Sequence, residues 1–145
     1  MAILVQDKDG VYHLFSKNGV KRKDDGTLKR DANDDLGVRI SDVQSFLNNL
    51  DSNKSNQKEG SEDPYYTYGF MIATTSEQDA TIAETMKQEI AKDYNFFFSN
   101  CGEAVINSLK AGKVSTSNTI LDIMSPLMQG PISGAVNKTL DLWCL

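Results

Sequence analysis

Cys101 stands where an aromatic run over residues 94–98 gives way to an amphipathic stretch that ends at Gly112. A cysteine in the first turn of a helix lies beside backbone N–H groups with no intrahelical acceptor, and the helix dipole there favours an anion. The thiolate is the nucleophilic form of cysteine. The same N–H groups suit an oxyanion formed next to the sulfur. The plain alternative is a small hydrophobe packed at a helix start.

Cysteine hydrolysis also needs a base, and the sequence holds one histidine, His13. It sits in the stretch VYHLF. With Tyr12 and Leu14 on one side of a strand, His13 faces the other side with Val11 and Phe15. The plain reading of His13 is a half-exposed strand residue. The second cysteine, Cys144 in LWCL, has no base or helix start nearby and reads as a packed residue. Two cysteines and one histidine in no ligand-like spacing exclude a zinc framework, and no cofactor is expected.

These residues must be positioned by one domain of ordinary size, since the chain has 145 residues with 39% hydrophobic content. A net charge of −5 and a pI of about 4.8 argue against non-specific nucleic-acid binding, which needs basic patches. Lys21–Lys23 is followed at once by Asp24 and Asp25 and reads as a solvated turn. No apolar run approaches the ~20 residues that span a bilayer. The first residues lack the charged region of a signal peptide. An apolar strand at residue 1 suggests a domain cut from a longer chain.

The runs MAILVQ (1–6) and VYHLFS (11–16) flank DKDG and predict a β-hairpin. A short strand is expected around Val38–Ile40. SDVQSFLNNL predicts a helix capped by Ser41, with Val43, Phe46, Leu47 and Leu50 on one face. Residues 51–64 have no large apolar side chain and predict a flexible surface loop. Residues 65–73 predict a strand buried on both faces at its end. The next segment predicts a helix with a Thr75–Gln78 capping box and an Ile82, Met86, Ile90 stripe. Residues 101–111 predict a helix with Val105 and Leu109 on the Cys101 face and Gly112 as its cap. Two more helices are expected, over 117–125 and within 130–145, with Trp143 and Leu145 docking on the body. The expected class is α+β: a small antiparallel sheet from 1–6, 11–16 and 67–73, with helices 76–92 and 101–111 packed on it.

A strand hairpin first and an Asn-Cys helix late resembles the circularly permuted papain-like fold of the NlpC and lecithin:retinol acyltransferase superfamily. Three segments sharpen the likeness: SKNG (16–19), IATTSEQDA (72–80) and YNFFFSNC (94–101). In that order they are similar to toxin-like domains at the C-termini of bacterial Rhs-repeat polymorphic effectors. The likeness covers about residues 1–112, and 113–145 carries no matching motif. It implies a single papain-like domain over 1–145, excised from a longer effector. It implies Cys101 as nucleophile, Asn100 as the residue that orients the turn or supports the oxyanion, and His13 as a catalytic partner. The first-strand histidine of the pattern would fall immediately before Met1, outside this sequence, so the main base stays open.

The activity implied is that of a cysteine hydrolase, a peptidase or amidase, working as an antibacterial toxin in interbacterial competition. Its substrate would be a peptide, peptidoglycan or a lipid acyl group. Its partner would be a cognate immunity protein. Delivery would use a dedicated secretion system of the type VI kind, with the chain cytoplasmic in the producing cell. The alternatives are a lipid or ester acyl hydrolase or acyltransferase of the same superfamily, a catalytically disarmed binding module, and an ordinary domain with a buried cysteine.

Overall fold

The computed structural model describes residues 1–18, 20–22, 28–30, 34–58, 60–67, 69–94, 99–114 and 142–144. Its first strand, β1 (Ala2–Gln6), is apolar without alternation because it is covered on both faces. Ile3 and Val5 point to one layer, Ala2 and Leu4 to the other. All four are buried. Full burial of an aliphatic side chain is worth about 1.5–3 kcal/mol, so this short strand is a main source of stability.

Strands β2 (Tyr12–Ser16), β3 (Val20–Arg22), β4 (Leu28–Arg30) and β5 (Asp35–Ile40) follow. A short helix, α1 (Val43–Leu47), comes next, then β6 (Phe70–Ile72), α2 (Ser76–Ala91), α3 (Cys101–Ala111) and β7 (Leu142–Cys144). The main sheet has the order β5-β2-β1-β7-β6, with every neighbouring pair antiparallel. β3 and β4 form a separate hairpin. The class is therefore α+β, with an antiparallel sheet and packed helices.

On one face, Ile3, Val5 and Phe15 meet Ile82, Met86 and Ile90 of α2 and Ala104, Val105 and Leu109 of α3. The α2 stripe follows the expected i, i+4, i+8 spacing, and Val105 and Leu109 of α3 stand i, i+4. Thr75 and Gln78 form the capping box that starts α2. On the other face, Leu4, Leu14 and Ile40 meet Val43 and Phe46 of α1, with Tyr66 packed against Phe46 at a ring separation of 6.1 Å.

Four expectations need correction. The cap of α1 is Asp42, whose carboxylate accepts the Ser45 N–H at 2.6 Å. Ser41 instead donates its hydroxyl to Asp51 at 2.7 Å. Leu50 does not join the helix face: the helix stops at Leu47, Asn49 turns the chain at φ 58, and Leu50 is 75% exposed. The strand within 65–73 shortens to three half-buried residues. The expected three-stranded sheet has five strands, with β5 beside β2 and β7 between β1 and β6, where both neighbours offer an open edge. The helix expected over 117–125, the segment 130–141 in which a further helix was expected to begin, and the expected docking of the Trp143, Cys144 and Leu145 side chains lie outside the described residues. Within 51–64, Asp51 and Asn56 are buried, and Asn56 exchanges hydrogen bonds with the Tyr66 backbone.

Candidate active site

The α2–α3 pair is an antiparallel hairpin lying along the sheet, and its two ends carry the residues of interest. At one end, Gln78 donates its side-chain amide to the Gly112 carbonyl at 2.9 Å. At the other, α3 begins at Cys101, and the buried Lys17 joins the segment before it to α2.

Cys101 is the first helical residue of α3. Asn100 is the N-cap, and its side-chain oxygen accepts the Glu103 N–H at 2.9 Å. Its backbone carbonyl accepts the Ala104 N–H at 3.0 Å. The N–H groups of Cys101 and Gly102 precede the first intrahelical acceptor, as in any α-helix. The thiol is half-buried and free of any disulfide. Two phenols share its surroundings. Burial, and then the nearby thiol, push the Tyr94 hydroxyl up from its ordinary range. Burial, and then the Asp35 carboxylate, push Tyr66 up further, with a smaller contribution from Cys101.

Asp35 belongs to a small polar network at this end. Ser16 donates to its Oδ2 at 2.6 Å, and Lys54 pairs with its Oδ1 at 2.8 Å. Asp35 is buried, so this pairing is what makes its charge tolerable.

His13 lies at the other end. It follows the β1–β2 turn, where Asp7 accepts the Asp9 and Val11 N–H groups through Oδ1, each at 2.9 Å. Gly10 completes that turn at φ 79, in the left-handed region. The second oxygen of Asp7 faces His13 Nε2 at 2.8 Å, and His13 Nδ1 faces the Gly37 carbonyl at 3.3 Å. A neutral imidazole has one N–H, so the tautomer decides which of these two oxygens receives it. The His13 hydrogen bond, and then the Val11 N–H, hold the Asp7 carboxyl below its ordinary range. A cavity of about 630 Å³ opens beside this pair, between Val5 and Phe15 of the sheet and Ala80 and Ala83 of α2.

The structure therefore does not bring His13 and Cys101 together. The four residues from His13 to Lys17 span ~13 Å of extended chain. It is Lys17, not His13, that touches the approach to the thiol. Asn100 and Cys101 are adjacent by sequence and by capping geometry. Sequence reasoning missed Lys17, Tyr66 and Asp7. The visible signals were the SKNG segment for Lys17 and the DKDG turn facing His13 for Asp7.

Among the described residues no group of three or more His, Cys, Asp or Glu is placed to hold a metal ion. Among the same residues no helix is long and apolar enough to cross a membrane. Comparison with protein-family models, with curated proteins and with solved structures finds no match to this chain.

Proposed function

We propose that this chain is a cysteine hydrolase of the peptidase or amidase kind, working as an effector toxin, with the Cys101 thiolate as nucleophile. The observation that carries the reading is the placement of a half-exposed thiol as the first residue of a capped helix. The sulfur would attack an acyl carbonyl carbon. The amine would leave with a proton as the C–N bond breaks, and water would release the acyl group from the thioester. The Cys101 and Gly102 N–H groups would stabilise the oxyanion. The early hairpin and late cysteine helix follow the order of the permuted papain-like fold. Ester or lipid acyl substrates are the variant of the same chemistry.

His13 is not the base in this arrangement, because both its nitrogens are engaged away from the thiol. A histidine immediately ahead of Met1 fits the geometry better. If the Ala2–Ser16 register continued, such a residue would stand opposite Asn18, one residue from Lys17. A second reading, a binding module that docks on a partner such as an immunity protein, is favoured by the distance of His13 from the thiol.

The test is turnover of peptide and ester substrates, with and without a histidine added ahead of Met1, each with Cys101→Ala as control. Cys101-dependent turnover supports the hydrolase. Absence of turnover in both forms, with partner affinity unchanged by Cys101→Ala, supports the binding module.

A further inference from the structure

Lys17 is the most deeply buried charged side chain described, at 1% exposure. Its ammonium donates to the Glu89 backbone carbonyl at 2.7 Å and to Ser99 Oγ at 2.7 Å. Glu89 lies in the last turn of α2, where the dipole favours a cation, and its carbonyl also accepts the Lys92 N–H at 3.3 Å. Ser99 is two residues ahead of Cys101.

Burying an ammonium costs several kcal/mol, and an apolar side chain of similar length packs there more cheaply. Stability alone therefore does not explain a lysine at this position. What lysine adds is a link between three elements. It leaves the end of β2, holds the end of α2, and fixes the segment that feeds α3. That segment places the thiol relative to the first-turn N–H groups.

We propose that Lys17 is the positioning residue of the Cys101 site: its buried ammonium fixes Ser99, and through Ser99 the attitude of the Asn100–Cys101 turn. The proposal rests on the reading of Cys101 as a nucleophile. It assigns Lys17 no contact with substrate. The hydroxyl of Ser99 is the part of the link that can be removed without emptying a buried charge site.

The test compares iodoacetamide alkylation of Cys101 in the full chain and in its Ser99→Ala, Ser99→Thr and Lys17→Met variants. The rate is read at pH 6 by peptide mass spectrometry against Cys144 of the same molecule. Thermal melting of each variant reports folding. Ser99→Ala is expected to slow Cys101 roughly tenfold at pH 6, and Ser99→Thr, which keeps the hydroxyl, to restore the rate. Lys17→Met should slow it at least as much if it folds. A merely structural tether predicts the opposite sign, because fraying the turn exposes the thiol and speeds alkylation. An unchanged or faster Ser99→Ala rate overturns the proposal while leaving the nucleophile reading intact. A wild-type Cys101 no faster than Cys144 at pH 6 overturns the nucleophile reading, and the proposal with it.

Discussion

The two ends of the sheet hold the same kinds of groups in opposite states. At the turn end, an imidazole and a carboxylate are bonded to each other and to backbone, and their hydrogen-bonding capacity is used. At the other end, a half-exposed thiol sits on a helix start, braced from behind by a buried lysine. The His–Asp pair has the composition of a catalytic dyad but the wiring of a clamp. It ties the β1–β2 turn to Gly37 of β5. The turn that carries the cysteine is set by capping and by a buried charge. A residue's type shows what chemistry it can do; its spare hydrogen-bonding capacity and its neighbours show whether it is free to do it.

The sharpest way to break this contrast is to delete each group in turn. On the proposed hydrolase reading Cys101→Ala should abolish turnover, whereas His13→Ala should leave the alkylation rate of Cys101 within about twofold. A strong effect of His13→Ala would mean that the two ends communicate. Next comes the packing that holds the helices in place. A Cβ on Gly112 would meet Ile82 Cγ1 at 2.6 Å and Cδ1 at 2.9 Å. Gly112→Ala should therefore lower stability by about 1–3 kcal/mol in urea unfolding.

Asn100→Ala removes the α3 cap and should cost about 1 kcal/mol. It should also raise hydrogen exchange at the Glu103 amide more than at Leu109, since the damage is confined to the first turn. The smallest effect is at the turn end. The Asp7 carboxyl is held below its ordinary value when folded, so its contribution to stability is present above ~4 and is lost as pH falls through its folded value. The stability gap between the wild type and Asp7→Asn should narrow between pH 5 and pH 2. A constant gap would show that Asp7 acts through shape alone.

Much of this fold was legible in the sequence because its elements are locally self-consistent. The Thr75–Gln78 box and the Ile82, Met86, Ile90 stripe fix α2 from within its own segment. The hairpin is fixed by its DKDG turn. What was not legible depends on distant partners. β7 forms because β1 and β6 both present open edges. The N-cap moves from Ser41 to Asp42 because Asp51, ten residues on, engages Ser41. At the candidate site, Cys101 and Asn100 announced themselves through a local cap pattern. Lys17 could not, since its partners are 72 and 82 residues away. His13 misled because a lone histidine invites pairing with a lone cysteine, while the carboxylate that holds it sits six residues back in the same hairpin.

The most direct test of the central claim is the pH profile of iodoacetamide alkylation at Cys101 and Cys144 in the native chain, from pH 5 to 9, read by peptide mass spectrometry. The account predicts that Cys101 reacts faster and reaches its plateau at a lower pH than Cys144, and that His13→Ala leaves that profile in place. A Cys101 that stays inert until the protein is unfolded would contradict the account and make the cysteine a packing residue.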